Sequence, residues 1–371
     1  MKTTKISLFL FRVSRTGLLL LAALYLTVCT SGGERSSVNS TLTLMTWNIH
    51  NLFDGEDNGY EYNEFLQSSG WSAEKYLGRI NAISAAISRI DPRPDIIMLQ
   101  EIESFKIIED LAISLSAGYS WSHFARNPGA AIGLGILSRL PLLEARNHSI
   151  AINGDTIPRP VLEVRIQIDN EASGGDCAEE TFVVFVCHWK SKLGGEAATE
   201  RVRRAGARVI LRRIRELWEG EPNLGVIVAG DLNLNHDEFY RQNSSTVYAL
   251  LPDDSRSVQL TAGIQKDFIV ISSSKPPLPV YFPQDTIVLY SPWKNELENG
   301  SYFFRNNWET LDHFLVSHQF FNNTGWEYQK TFVVNYEPFA DLKGIPASYN
   351  PRTGFGLSDH FPLLMMLKKT D

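Results

Sequence analysis

Six short stretches of this chain carry the residue types that hold a divalent cation and a phosphate. They are Thr46-Trp47-Asn48-Ile49, Leu99-Gln100-Glu101-Ile102, His188-Trp189-Lys190-Ser191-Lys192, Gly230-Asp231-Leu232-Asn233, Leu311-Asp312-His313-Phe314 and Ser358-Asp359-His360-Phe361-Pro362. A phosphate ester is negative, and its hydrolysis adds charge in the transition state. Cutting it takes positive charge aimed at the phosphoryl oxygens, an activated water and help for the leaving oxygen. Hard carboxylate and amide oxygens select magnesium, with manganese or calcium as substitutes. Magnesium keeps several waters and takes one or two protein carboxylates.

Glu101 follows Ile96-Ile97-Met98-Leu99, so it leaves a buried strand at its end and is the expected metal ligand. Asn48 ends the first strand, where its amide oxygen can face the same ion or its water. Asp359 and His360 are adjacent, and neighbours on an extended chain point to opposite sides. Asp312 is therefore the expected partner that orients His360, leaving Asp359 for the metal or its water shell. His360 would either take a proton from the attacking water or, protonated, stabilise the phosphoryl oxygens. Asp231 and Asn233 follow Val226-Ile227-Val228-Ala229, and their spacing puts both on one face of an extended segment. Lys190, Ser191 and Lys192 make a small phosphate pocket, with Gly194-Gly195 allowing close backbone approach. Glu103 is either a support behind Glu101 or a solvated carboxylate. His313 reads as a packing residue. His50, His123, His148, His236 and His318 match no motif and read as surface or turn residues.

The positioning elements follow from periodicity. Residues 42–49 alternate as a half-buried strand does. Residues 73–90 have apolar side chains at helical spacing (Tyr76, Leu77, Ile80, Ile83, Ile87, Ile90), and residues 107–115 read as a second helix. Short strands are expected at 95–99, 132–138, 142–150, 161–168, 182–187, 226–229, 311–317 and 362–367. A long helix over 197–217 presents Val202, Ala205, Val209, Ile210, Ile214 and Leu217. Its other face, with Arg201, Arg203, Arg204, Arg208, Arg212 and Arg215, reads as solvated. Residues 235–310 are irregular. Strands mixed with helices, through hairpins and longer connections, point to an α/β sandwich of two sheets faced by helices.

The order and residue types of the six motifs resemble the endonuclease/exonuclease/phosphatase superfamily, the DNase I-like hydrolases of phosphate esters. The resemblance spans nearly the whole chain after its N-terminal segment. It implies a four-layer sandwich of two mixed β-sheets packed face to face with helices outside. It implies the roles given above for Glu101, Asp312, Asp359 and His360. It sets Asp231 near the nucleophilic water or a second metal, and Asn233 on a phosphoryl oxygen. His188 matches a histidine that bonds the phosphate or the leaving oxygen, and Arg159 looks like a phosphate-contacting arginine. His313 departs from many relatives. Members cut DNA or RNA, remove phosphate from inositol lipids or split sphingomyelin, so the family does not name the substrate. His188 through Glu196 resembles bacterial extracellular nucleases, which points to nucleic acid. The alternatives are a phosphodiesterase or phosphatase on lipid head groups or small esters, and a non-catalytic surface binding protein.

Composition narrows this further. The formal net charge is −7, which argues against a broad basic nucleic-acid surface but not against brief contact at one site. Lys2, Lys5, Arg12 and Arg15 precede an apolar run over residues 17–28. This pattern reads first as a signal peptide and second as a signal anchor counting the apolar residues from Ile6 onward. Cys29 closes it and resembles a lipoprotein processing site, with Val28 where a small residue is usual. The expected organisation is a signal over 1–30, a linker over 31–40 and one catalytic domain over 41–371. The protein reads as an extracytoplasmic monomer that is secreted, periplasmic or lipid-anchored, touching membrane only through such an anchor. Cys177 and Cys187 are open between a disulfide and two free thiols.

Overall fold

The computed structural model describes residues 40–116, 118–168, 180–242, 247–254, 267–278 and 286–370. The expected export segment, Cys29 and Cys177 lie outside the described residues. Ser40–Asp371 forms one compact unit.

Alternating apolar runs too short to stand alone pair into two sheets. The six-stranded sheet runs β17 (Trp326–Val333), β18 (Leu363–Lys369), β1 (Thr41–Leu52), β2 (Ile96–Ile102), β4 (Gly133–Ser138), β3 (Trp121–Ala125). The eight-stranded sheet runs β11 (Leu250–Pro252), β12 (Ile269–Ser272), β13 (Val288–Tyr290), β16 (Asp312–Val316), β10 (Gly225–Asp231), β9 (Glu180–His188), β8 (Val161–Ile168), β5 (Leu142–His148). β1 and β2 are parallel, as are β9 and β10, while β10 meets β16 antiparallel, so both sheets are mixed. Two small ribbons, β6 (Ala151–Ile152) with β7 (Asp155–Thr156) and β14 (Tyr302–Phe304) with β15 (Asn307–Glu309), stand apart.

Strand alternation sorts the side chains into layers. Leu44, Met98, Val184, Val186, Ile227, Ala229, Phe314 and Met365 form a core between the sheets. The opposite faces of β1 and β2, with Met45, Trp47 and Leu99, pack on α1 (Ala73–Ile87) and α2 (Phe105–Leu115). Val183, Phe185, Val226 and Val228 pack on α3 (Glu196–Gly220). The result is the α/β/β/α sandwich that the motifs implied. Each fully buried aliphatic side chain in these layers contributes about 1.5–3 kcal/mol.

Three local expectations change. β3 and β17 are strands that the periodicity did not single out, and the irregular stretch supplies β11, β12 and β13. Tyr290 and Trp293 in that stretch are core residues. The buried face of α3 is rotated from the purely apolar one, because Arg203 is fully buried while Val202 and Val209 are only half-buried. Its guanidinium is satisfied by Glu200, Thr199 Oγ1 and the carbonyls of Glu196 and Lys190. That meets the condition for burying a charge. In α1, Leu77 is exposed and Arg79 is buried, for the same kind of reason.

Candidate active site

The inter-sheet core ends in polar residues at one edge. Along β9, β10 and β16 the inward positions run to His188, Asp231 and Asp312, which are cross-strand neighbours: Asp231 pairs with His188 on one side and Asp312 on the other. Asn48 ends the inward series of β1 and pairs with Gln100 of β2. Glu101 would by strict alternation face the helices. The β1–β2 and β2–β4 registers both slip at this point, and Glu101 has φ +64°, so a bulge re-aims its carboxylate into the site.

β1 kinks opposite this bulge, with His50 at φ +54° and Asn51 at φ +56°. Buried Arg79 donates to the carbonyls of Ile49, His50 and Asn51 and lies 3.8 Å over the ring of Tyr349. Asn51 N–H then donates to Glu101 Oε2 at 2.9 Å. Trp47 Nε1 donates to His360 O at 2.9 Å, and Ser358 Oγ to Asn48 O at 2.6 Å, fastening the His360 segment to the same strand.

Asn48 bridges the two sheets. Its Nδ2 donates to Glu101 Oε1 at 3.1 Å and Asp231 Oδ2 at 3.0 Å, while its Oδ1 accepts from His50 N–H at 3.0 Å. Its amide donors are thus drawn by the two carboxylates and its oxygen by backbone. His188 Nε2 stands 3.5 Å from both Glu101 Oε1 and Asp231 Oδ2. Burial pushes the His188 imidazole well below its ordinary pKa, and the positive charges of Arg159, His360 and Lys190 push the same way. Burial also raises the Asp231 carboxyl to about 7, against the pull of His360.

His360 Nδ1 lies 2.7 Å from Asp312 Oδ2, the pairing expected from the alternation of Asp359 and His360. Ser301 Oγ donates to the same oxygen at 2.6 Å. Burial alone would lower the His360 pKa; the charge and hydrogen bond of Asp312 overturn that and raise it to about 10. Asp359 is partly exposed and lies 3.6 Å from His50 Nδ1, so His50 sits at the rim of the site. Tyr302 packs its ring on His360 at 4.6 Å and feels the charges of Asp359, Asp231 and Glu101, which ties both halves of the site together.

Arg159 donates to Trp189 O, and so does Asn233 Nδ2 at 3.1 Å. Asn233 is not on an extended segment: its φ is +50° and its N–H donates to Asp231 Oδ1 at 2.8 Å, so an Asx-type turn brings it beside Asp231. Lys190 and Ser191 are half-buried neighbours linked at 3.4 Å. Burial, Arg159 and Arg203 lower the Lys190 pKa. The Lys192 ammonium is engaged by Glu238 at 2.6 Å, with Glu309 at 3.9 Å.

Glu103 is fully buried, accepting from Asp54 N–H at 2.9 Å, so it supports the loop rather than facing solvent. His313 is a packing residue, buried and bonded to Leu234 O at 2.8 Å. His123 and His148 sit within strands, His148 on Glu163 at 2.7 Å, and His236 rests on Trp293; only His318 is exposed. Sequence reasoning missed Arg79, His50 and Ser301. A buried Arg in a helix facing a strand-end motif was the available signal for the first.

The donor set suits a hard cation. Among the described residues no three His, Cys, Asp or Glu close into a cage. Glu101 offers a carboxylate with Asp231 close to it, and Asp359 acts on the same Arg79 and Tyr302 that Glu101 does. Few hard oxygens match an ion that keeps most of its water; a zinc-type set of His and Cys does not form here.

The sequence model of the Endonuclease/Exonuclease/phosphatase family matches residues 43–259. No curated protein matches the chain in sequence. An endonuclease/exonuclease/phosphatase family protein from Bacteroides thetaiotaomicron is similar with a TM-score of 0.50 at 16% identity, covering 89% of this chain and 98% of that one. TDP2 of D. rerio, complexed with a single strand DNA product, is similar with a TM-score of 0.50 at 13% identity, over 89% of this chain and 100% of that one. At such identities the likeness is one of fold.

Proposed function

This chain belongs to the endonuclease/exonuclease/phosphatase family, and from that membership we propose a magnesium-dependent phosphodiester hydrolase, specifically an exported nuclease that cuts DNA or RNA. The observation that carries the reading is the His360–Asp312 pair at 2.7 Å, standing beside the bonded group of Asn48, Glu101, Asp231 and His188. The substrate phosphate sits between them.

Glu101, with Asp231 and Asp359 nearby, would hold the cation, which when bound supplies positive charge at the phosphoryl oxygens. Asp312 keeps His360 protonated at neutral pH, so its imidazolium faces the oxygens where negative charge grows. Of the two roles open to His360 in the sequence, this favours charge stabilisation. Asp231, bonded to Asn48 at 3.0 Å and 3.5 Å from His188, is placed to take a proton from the attacking water. Neutral His188, the second Asn233 amide N–H, Arg159, Lys190 and Ser191 hold the remaining oxygens. Lys192 acts through Glu238 and keeps this loop in place.

Export rests on the basic-apolar start and Cys29, and nucleic acid on the His188–Glu196 stretch, which resembles bacterial extracellular nucleases. The test is cleavage of plasmid DNA, RNA, sphingomyelin and a generic phosphodiester by the purified protein with magnesium or with chelator. The reading expects chelator-sensitive cutting of nucleic acid, lost in Glu101→Ala and His360→Ala. Turnover of sphingomyelin with inert DNA and RNA would replace it with the lipid reading.

A further inference from the structure

The β14–β15 ribbon belongs to neither sheet, yet its base is fixed to the site. Phe361 N–H donates to Ser301 O at 2.7 Å, and Tyr302 bridges His360 through the backbone. Arg305 at φ +49° and Asn306 at φ +63° close it as a two-residue hairpin, the tight turn that suits the strand twist. Alternation then gives it two faces. Phe303 turns inward against Trp308, which stacks on Phe361 at 5.9 Å. Tyr302 and Phe304 share the other face.

That second face is a continuous row leading away from the reacting centre. Tyr302 lies 4.6 Å from the His360 ring, Phe304 stacks 6.2 Å from Tyr302, and the Arg305 guanidinium stands 5.0 Å over Phe304. Beyond these two contacts Phe304 is 51% exposed. An inward face that already packs the ribbon down leaves the outer row unneeded for folding.

We propose that the Tyr302–Phe304–Arg305 edge is a stacking platform for unpaired nucleobases of a single-stranded nucleic acid, seated beside the phosphate that His360 faces. The inference rests on the nuclease reading and narrows its substrate. In a duplex each base face is covered by its neighbours, so an aromatic row can take only bases free of the stack. The Arg305 guanidinium at the end of the row meets the next backbone phosphate or stacks in its turn. Such local contact also suits a chain of net charge −7, which has no excess of cations to follow a duplex backbone. A lipid surface is the competing occupant, but a single exposed phenylalanine flanked by an arginine and tied to the imidazole offers it little apolar area.

The experiment measures KM and kcat of the purified protein with magnesium on three substrates: a single-stranded oligonucleotide, the same strand fully paired, and the same strand carrying abasic analogues. Phe304→Leu should raise KM for the natural single strand about 5- to 100-fold. The wild-type preference for the natural over the abasic strand should collapse in the variant. Arg305→Gln should reduce the salt slope of single-strand binding by about one. Equal effects of Phe304→Leu on natural and abasic strands, or on duplex and single strand, overturn the platform. So does an unchanged oligonucleotide KM with lost binding to phosphatidylcholine–sphingomyelin vesicles, which assigns the ribbon to lipid. A wild-type protein that cuts no nucleic acid overturns the nuclease reading and the platform together; one that cuts it but ignores Phe304→Leu overturns the platform alone.

Discussion

β9 and β10 carry different chemistry at their two ends. At one end His188 and Asp231 join Asn48, Glu101 and the His360–Asp312 pair in a mesh of short contacts. At the other, Phe182, Gly225, Phe320 and Trp326 line a cavity of about 610 Å³ together with Glu180 and Gln319. Polar groups occur at both ends. At the far end the contacts stay local: Gln319 Nε2 donates to Pro222 O at 2.9 Å, Thr324 Oγ1 to Asn322 Oδ1 at 2.6 Å, and Glu221 is taken by Arg165 at 2.7 and 2.9 Å. The catalytic end differs because strand ends from both sheets converge there, so Glu101, Asp231 and Asp312 each meet an amide or imidazole from across the sandwich. Preorganised contacts of that kind, rather than polarity itself, distinguish a reacting centre.

The contrast breaks most sharply at His360. Asp312→Asn should lower kcat on magnesium-supported phosphodiester cleavage about 10³- to 10⁴-fold while the fold survives, whereas Gln319→Ala at the far end should leave kcat within about 2-fold. Equal effects at the two ends would remove the distinction. Next comes Arg79. Arg79→Met strips the donor from three carbonyls at the β1 kink, so denaturant unfolding should show a loss of about 3 kcal/mol, accompanied by weaker magnesium dependence because Asn51 no longer steadies Glu101.

The third effect is of similar size and depends on pH. Burial holds His313 at about 4, below its unfolded value, so the unfolded state binds more protons in between. Stability is therefore full above about 6.5 and is lost as pH falls towards 4, by about 3 kcal/mol in total. His313→Asn should flatten that part of the stability–pH curve measured by urea unfolding. The smallest effect separates two neighbouring lysines. Lys190→Gln should raise KM about 10-fold, and Lys192→Gln, already paired with Glu238, about 2-fold; the reverse order would return Lys192 to the phosphate.

Legibility followed the range of the interaction. The Asp312–His360 pairing could be read because alternation excluded Asp359, a rule that acts between neighbours. Glu101 could be read from its motif but not from its strand, since the bulge that turns it inward reverses the parity of β2. The Lys192–Glu238 pair could not be read, because Glu238 reaches the lysine from a turn that no local pattern ties to it. Arg203 and Arg79 were taken for surface or passed over, because burial of a guanidinium depends on carbonyls supplied by distant segments.

The sequence by itself determined the layered α/β architecture, the inward series of each main strand and the residue types gathered at one edge. Apolar period and strand length act over a few residues, and they leave little freedom about which side chains share a face. Tertiary structure decided the charge states and the orientations: Asn48 donating to two carboxylates, His360 raised by Asp312, Asp231 raised by burial, and the Tyr302–Phe304 row aligned on the imidazole. Those depend on dielectric and on partners from the opposite sheet, and neither exists until the two sheets have closed on each other.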